Sequence, residues 1–159
     1  MKRGVPDSVV VPGHPDFEAL GAIAAEIVGR AGGTLADGFA AMLRRCVDDV
    51  IMTPKTGRRS YDELEKTEKT YIGTRVEIEL RAMLRLPNGK LGTVILGRVV
   101  DIKNTMGSNW MIPTEAVDHA CILVAADEAR AVCYLGLIVA RPDYLTVGQN
   151  KDANRSFSA

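Results

Sequence analysis

The sequence predicts a mixed α/β domain of the α+β kind, a mixed β-sheet flanked by helices. Apolar residues recur at helical spacing from Phe17 to Leu84, and the period then changes after Pro87-Asn88-Gly89. Three apolar runs rich in Val, Ile and Leu follow, short enough to be buried strands.

Each element has a local reason. Residues 1–15 carry Val, Pro and Gly without a period and read as an extended N-terminal arm. Phe17, Leu20, Ile23 and Ile27 share one helical face, and Gly32-Gly33 ends that helix. Thr34 is placed to cap a second helix whose apolar side carries Leu35, Phe39, Met42, Leu43, Cys46 and Val50. The helical N-terminal part thus covers 16–52 of a single domain, 16–159. A longer helical pattern spans Asp62 to Leu84, with Ile72, Val76, Leu80 and Met83 as its stripe. Thr93 to Ile102 reads as one buried strand, followed by a polar loop from Asn104 to Asn109. Thr114 is placed to cap a short helix through Val117. Ala120–Ala126 and Ala131–Ala140 are two further strands, and the tail from Gly148 reads as irregular.

Bulk properties narrow the class without naming a function. A chain of 159 residues, 47% hydrophobic and 25% charged, is long enough for one domain with a real core. No apolar run reaches the ~18 residues of a membrane span, and Val9–Val11 is cut short by Pro12-Gly13 before it resembles a signal peptide. Cys46, Cys121 and Cys133 are odd in number and lack ligand spacing, so free thiols in a reducing cytoplasm are expected. The net charge of zero counts against a strongly basic nucleic-acid binder, although a local basic patch on a neutral protein still grips phosphates.

The chemistry concentrates at Val100-Asp101-Ile102-Lys103. Strand alternation puts Asp101 and Lys103 on one face and Val100 and Ile102 on the other. A carboxylate there suits a hard divalent cation, and an ammonium beside it can orient water and offset phosphoryl charge. The bland alternative is a strand end meeting solvent. A second carboxylate must come from elsewhere. Glu77 and Glu79 flank the buried stripe of the preceding helix, and spacing does not choose between them. Lys55, Arg58 and Arg59 form a cationic turn that is either solvated or phosphate-facing. Asn109 follows the strand closely enough to touch DNA, while Trp110 and Met111 beside it read as core. Lys151, Asn154 and Arg155 are either backbone or base contacts or a polar end. Ser60 and Ser108 lack a nearby His and acid, which removes nucleophilic catalysis from consideration.

Several blocks in order resemble a known family: Lys66-Thr67-Glu68-Lys69-Thr70, Gly73–Ile78, Gly97–Lys103, Asn109–Ala116 and Gly148–Arg155. They are similar to the endonuclease domain of NaeI-type restriction enzymes, from about Arg44 onward. The resemblance implies a restriction-endonuclease-like fold of the PD-(D/E)XK kind and Mg²⁺-dependent hydrolysis of phosphodiesters in duplex DNA by a homodimer, with no nucleotide cofactor. It matches Glu77 to the helical acid, Asp101 to the second strand carboxylate and Lys103 to the catalytic lysine. Glu77 and Asp101 become the expected metal ligands. One departure stands out: Gly92 occupies the position where the family pattern carries a ligand aspartate. Either Glu79 compensates, or the domain binds DNA or a protein partner and cleaves poorly or not at all. A second departure is length, since NaeI-type enzymes carry a further C-terminal DNA-binding domain for which this sequence has no matching residues.

Overall fold

The computed structural model describes residues 9–158. The expected arm falls partly on residues 1–8, outside the described residues, and residues 9–15 form bends and turns. Helix α1 (Phe17–Arg30) buries Leu20, Ile23 and Ile27, as the spacing requires. Helix α2 (Leu35–Ile51) buries Phe39, Met42, Leu43, Cys46, Val47, Val50 and Ile51. Thr34 precedes it, but its hydroxyl donates back to the Ala31 carbonyl and not into the new helix.

The cationic turn contains a short helix, α3 (Thr53–Thr56). The long helical pattern divides at Leu64-Glu65: a 3₁₀ turn at Tyr61–Glu63 precedes α4 (Lys66–Leu84). Both starts are capping boxes, Ser60 with Glu63 and Glu65 with Glu68, so the break satisfies otherwise orphaned amides.

The run Thr93–Ile102 is not one strand. It folds as a hairpin, β1 (Thr93–Ile95) against β2 (Arg98–Thr105), with Ile95 opposite Arg98. Leu96 (φ 51°) and Gly97 (φ 74°) form the turn between them, both left-handed, as a two-residue hairpin of matching twist demands. Leucine rarely adopts that conformation, so the sequence hides the reversal behind one glycine. Strand β2 then continues through Asn104 and Thr105, residues whose polarity predicts a loop.

After β3 (Met111–Ile112) and a 3₁₀ turn at Thr114–Ala116 come β4 (Ala120–Asp127) and β5 (Val132–Val139). The main sheet is mixed and runs β1-β2-β4-β5, with β2 and β4 parallel and the other neighbours antiparallel. The polar tail is not wholly irregular: β6 (Arg155–Ser156) pairs antiparallel with β3.

Each face of the sheet has its own core. On one side α1, α2 and α4 pack on Ile95, Val100, Ile102, Ile122 and Val124. On the other, Cys121, Ile112, Ala116, Ala140 and Leu145 form a smaller cluster with Trp110, Leu123 and Phe157. Trp110 is held there by a hydrogen bond from its indole N–H to the Val124 carbonyl (2.9 Å) and an edge-on contact with Phe157. Met111, expected in the core, is exposed. Among the described residues no helix is long and apolar enough to cross a membrane.

The start of α1 is tied to the end of β5. Asp16 is buried and receives two bonds from Arg141, Nη2 to Oδ1 at 2.6 Å and Nε to Oδ2 at 3.2 Å, and the His14 ring meets the Tyr144 hydroxyl at 2.7 Å.

Two stability predictions follow from this frame. Leu96→Asn relieves a strained turn and is expected to raise stability by about 1 kcal/mol in denaturant unfolding, since a left-handed L-residue costs roughly that much. A loss of stability would refute the turn assignment. The Arg141 guanidinium holds the Asp16 carboxyl below its ordinary value. Its contribution is therefore complete above the unfolded carboxyl range and disappears as pH falls through the depressed folded value. Asp16→Asn should cost about 1–2 kcal/mol at pH 7, discounted for the partial exposure of Arg141, and the gap to the parent should narrow steadily in unfolding curves taken toward pH 3.

Candidate active site

Strand β2 is buried on both faces, and this sets the environment of Asp101. Val100 and Ile102 face the helices, while Asp101 and Lys103 face the second cluster beside Cys121 and Leu123, their partners on β4. Asp101 is 1% exposed and lies within the strand, not at a solvent-facing end. Its Oδ1 accepts the Ile102 backbone N–H (3.0 Å). Its Oδ2 is buried without a hydrogen-bond donor, and Lys103 Nζ stands 3.4 Å from it, an ion pair longer than a good hydrogen bond. Burial pushes the Asp101 carboxyl up; Lys103 and the Ile102 amide pull it back, and the nearby Glu77 carboxylate adds to the upward push.

Glu77 comes from the flank of α4. One turn later on the same helix, Arg81 donates from Nη1 to Glu77 Oε1 at 2.6 Å, and the same nitrogen donates to the Gly92 carbonyl at 3.1 Å. Glu79, on the other flank, is directed elsewhere: it lies 3.5 Å from Arg75, whose guanidinium also pairs with Asp49 of α2 at 2.6 Å. The helix thus separates two carboxylates that the sequence left equivalent.

Gly92 sits against the site. A Cβ built there would stand 3.0 Å from the Ile102 nitrogen and the Val100 oxygen, and 3.4 Å from the Asp101 carbonyl carbon. Position 92 therefore abuts the β2 backbone around Asp101 so closely that a side chain there would press on main-chain atoms.

A family model described as restriction endonuclease NaeI matches residues 33–159. The chain belongs to the NaeI restriction endonuclease family. It is also 35% identical over 124 residues to the type II restriction enzyme NaeI of Lentzea aerocolonigenes, an alignment that covers 77% of this chain and 39% of that enzyme. The chain thus spans well under half the length of that relative. The helices and mixed sheet agree with the restriction-endonuclease-like fold expected of a NaeI family member.

The remaining predicted residues divide by their partners. Lys55 and Arg59 are exposed, and Arg59 lines an open cleft of about 550 Å³ with Tyr61, Asp62, Met106, Ser108 and Glu128. That cleft lies beyond the C-terminal ends of β2 and β4, and Glu77, Asp101 and Lys103 do not line it. Arg58 is occupied within the fold, forked onto Glu68 (2.8 and 3.0 Å) and onto the Val50 and Ile51 carbonyls at the end of α2. Asn109 grips the C-terminal segment, donating to the Phe157 carbonyl (2.8 Å) and accepting from the Phe157 amide (3.3 Å). Arg155 donates to the Thr146 and Leu145 carbonyls, the Asn154 amide donates to Asn150 Oδ1, and Lys151 is exposed. Sequence reasoning missed Arg81, although its i+4 spacing from Glu77 was the available signal.

Among the described residues no three His, Cys, Asp or Glu side chains converge as a full ligand set. The donors present still fit an ion that takes one or two carboxylates and completes its shell with water and phosphate oxygen, as Mg²⁺ does. Asp101 Oδ2 is the buried acceptor without a well-formed hydrogen bond, and Glu77 is a second carboxylate whose charge acts on it.

Cys121 tests this electrostatic picture from the neighbouring strand. Burial, reinforced by the Asp101 charge, pushes its thiol up to about 12. The thiolate is the reactive form. Cys121 should therefore resist Ellman's reagent in the native protein at pH 8 and react fully on unfolding; fast native labelling would contradict the sealed second core.

Proposed function

We propose that this chain is a metal-dependent DNA hydrolase domain of the type II restriction kind, with Asp101, Lys103 and Glu77 as its reacting centre and Mg²⁺ as its cofactor. The observation that carries the reading is the loose pairing of a buried Asp101 oxygen, short of a well-formed hydrogen bond, with the Lys103 ammonium on one strand face, in a member of the NaeI family. Bound Mg²⁺ would lower the pKa of water and offset charge on a phosphodiester. Asp101 and Glu77 would hold it. Lys103, partly exposed beside Asp101, would orient the attacking water and oppose the negative charge that builds on the phosphoryl oxygens. The substrate would be duplex DNA in the cytoplasm. A two-fold homodimer matches the symmetry of a palindromic target. Lys55, Arg59 and Lys151 are exposed cations free to meet backbone phosphates.

A second reading is favoured by one specific feature. Gly92 removes the expected acid, and Glu77 is already engaged by Arg81. Those facts support a domain that binds DNA and cleaves it slowly or not at all.

Incubation with supercoiled plasmid separates the two. The first reading expects Mg²⁺-dependent nicking that falls by about 10²–10³-fold in Asp101→Ala and Lys103→Ala, the range for loss of one charge-stabilising group. Absence of metal-dependent nicking, or variants as active as the parent, would sink it. A salt-sensitive gel shift of duplex DNA without cutting would establish the second.

A further inference from the structure

We infer that Arg81 is a built-in counter-cation of this site, competing with a divalent ion for the Glu77 carboxylate and thereby setting the affinity of the site for metal. The inference rests on the functional reading above only in taking Asp101 and Glu77 as the metal-holding pair.

The argument begins with one nitrogen atom. Arg81 Nη1 lies 2.6 Å from Glu77 Oε1 and 3.1 Å from the Gly92 carbonyl, so it bridges helix α4 and the chain entering the β1–β2 hairpin. The Arg81 side chain is 16% exposed, which shields the pair from much of the solvent screening that weakens surface ion pairs. Gly92 completes the clamp: its carbonyl also accepts the Gly89 amide at 3.2 Å, which fixes the acceptor in place. At position 92 there is no side chain to compete for the guanidinium.

The consequence is an asymmetry between the two carboxylates. Asp101 Oδ2 has only a loose partner, the Lys103 ammonium at 3.4 Å, whereas Glu77 Oε1 is held by a guanidinium at 2.6 Å. A divalent ion joining both would compete with the Arg81 charge for Glu77, whose Oε1 is already engaged. A competing cation can displace the guanidinium from Glu77, and a phosphate can draw it away by offering bidentate oxygen acceptors. Glu77, Arg81, Asp101 and Lys103 together carry two negative and two positive charges, so the metal-free arrangement is already balanced.

Mn²⁺ serves as the probe, titrated into the full chain and followed by the electron paramagnetic resonance signal of the free ion. Arg81→Gln keeps a long polar side chain and removes the charge. It should raise Mn²⁺ affinity about tenfold, the size expected for release of a partly shielded ion pair. Adding Glu77→Gln to Arg81→Gln should cancel that gain, and Asp101→Asn should abolish binding in either background. Arg81→Lys, which keeps the charge without the planar fork, should stay near the parent and supports the measurement if Arg81→Gln unfolds; circular dichroism checks each fold. Equal Mn²⁺ affinity in the parent and Arg81→Gln would overturn the inference, as would a gain that survives Glu77→Gln. No Mn²⁺ binding in any variant would overturn it too. Tighter binding in Arg81→Gln without nicking of plasmid would uphold the role of Arg81 while refuting hydrolysis.

Discussion

Carrying a carboxylate inside β2 is the constraint around which the rest of the molecule is arranged. A buried charge loses its water and survives only with compensating partners. Asp101 has few: one backbone amide, an ammonium at 3.4 Å, and one oxygen with no donor. Such an atom costs stability wherever folding is the sole requirement. The sheet tolerates it because both faces of β2 are packed, with Val100 and Ile102 anchored under three helices and the opposite face covered by the β3–β6 ribbon and Trp110. The strand cannot twist away to wet its carboxylate without opening one of those cores.

That rigidity explains why the sheet edge is built as it is. The β1–β2 hairpin turns through Leu96-Gly97 with both residues left-handed, and it brings Gly92 to within van der Waals reach of the Asp101 backbone. A side chain at position 92 would have to push the β2 backbone by a few tenths of an ångström, since its nearest neighbours are main-chain atoms and not a flexible tip. The glycine and the closeness of the hairpin are therefore coupled features. Placing an acid at position 92 would thus change the backbone as well as the local charge.

The parts of this architecture that were legible in the sequence share a physical property: their signal is local and repeated. Leu20, Ile23 and Ile27 declare α1, and the Phe39–Val50 stripe declares α2, because each turn repeats the same burial. The face-sharing of Asp101 and Lys103 follows from strand alternation alone. What stayed hidden depends on pairing at a distance or on an unusual conformer. Leu96 gives no sign that it is left-handed, so two strands read as one. Arg155 and Ser156 form a strand only because Met111 and Ile112 lie opposite. Arg58 and Asn109 have the chemistry of DNA contacts, yet their groups are occupied by Glu68 and by the Phe157 backbone, partners 10 and 48 residues away. The tie between Glu77 and Glu79 was broken in the sequence only by family resemblance. In the fold, Arg81 draws one toward the hairpin, while Arg75, itself paired with Asp49 of α2, holds the other.

The same geometry bears on how the proposed site is balanced without an acid at position 92. Two carboxylates brought near one another repel, and each raises the cost of ionising the other. A bound divalent ion relieves that repulsion only while it is bound. Here each carboxylate has its own permanent cation, Glu77 with Arg81 and Asp101 with Lys103. Gly92 contributes in a second way, through a carbonyl that orients Arg81, where a carboxylate at that position would instead have added a third negative charge to the cluster. With a net charge of zero within the quartet, the fold does not depend on metal for its electrostatic balance. On the proposed function, a metal bound there would gain less than at a site of unpaired acids, because it would compete with an existing ion pair. Affinity for the ion and stability in its absence would then be opposed at the Arg81 guanidinium.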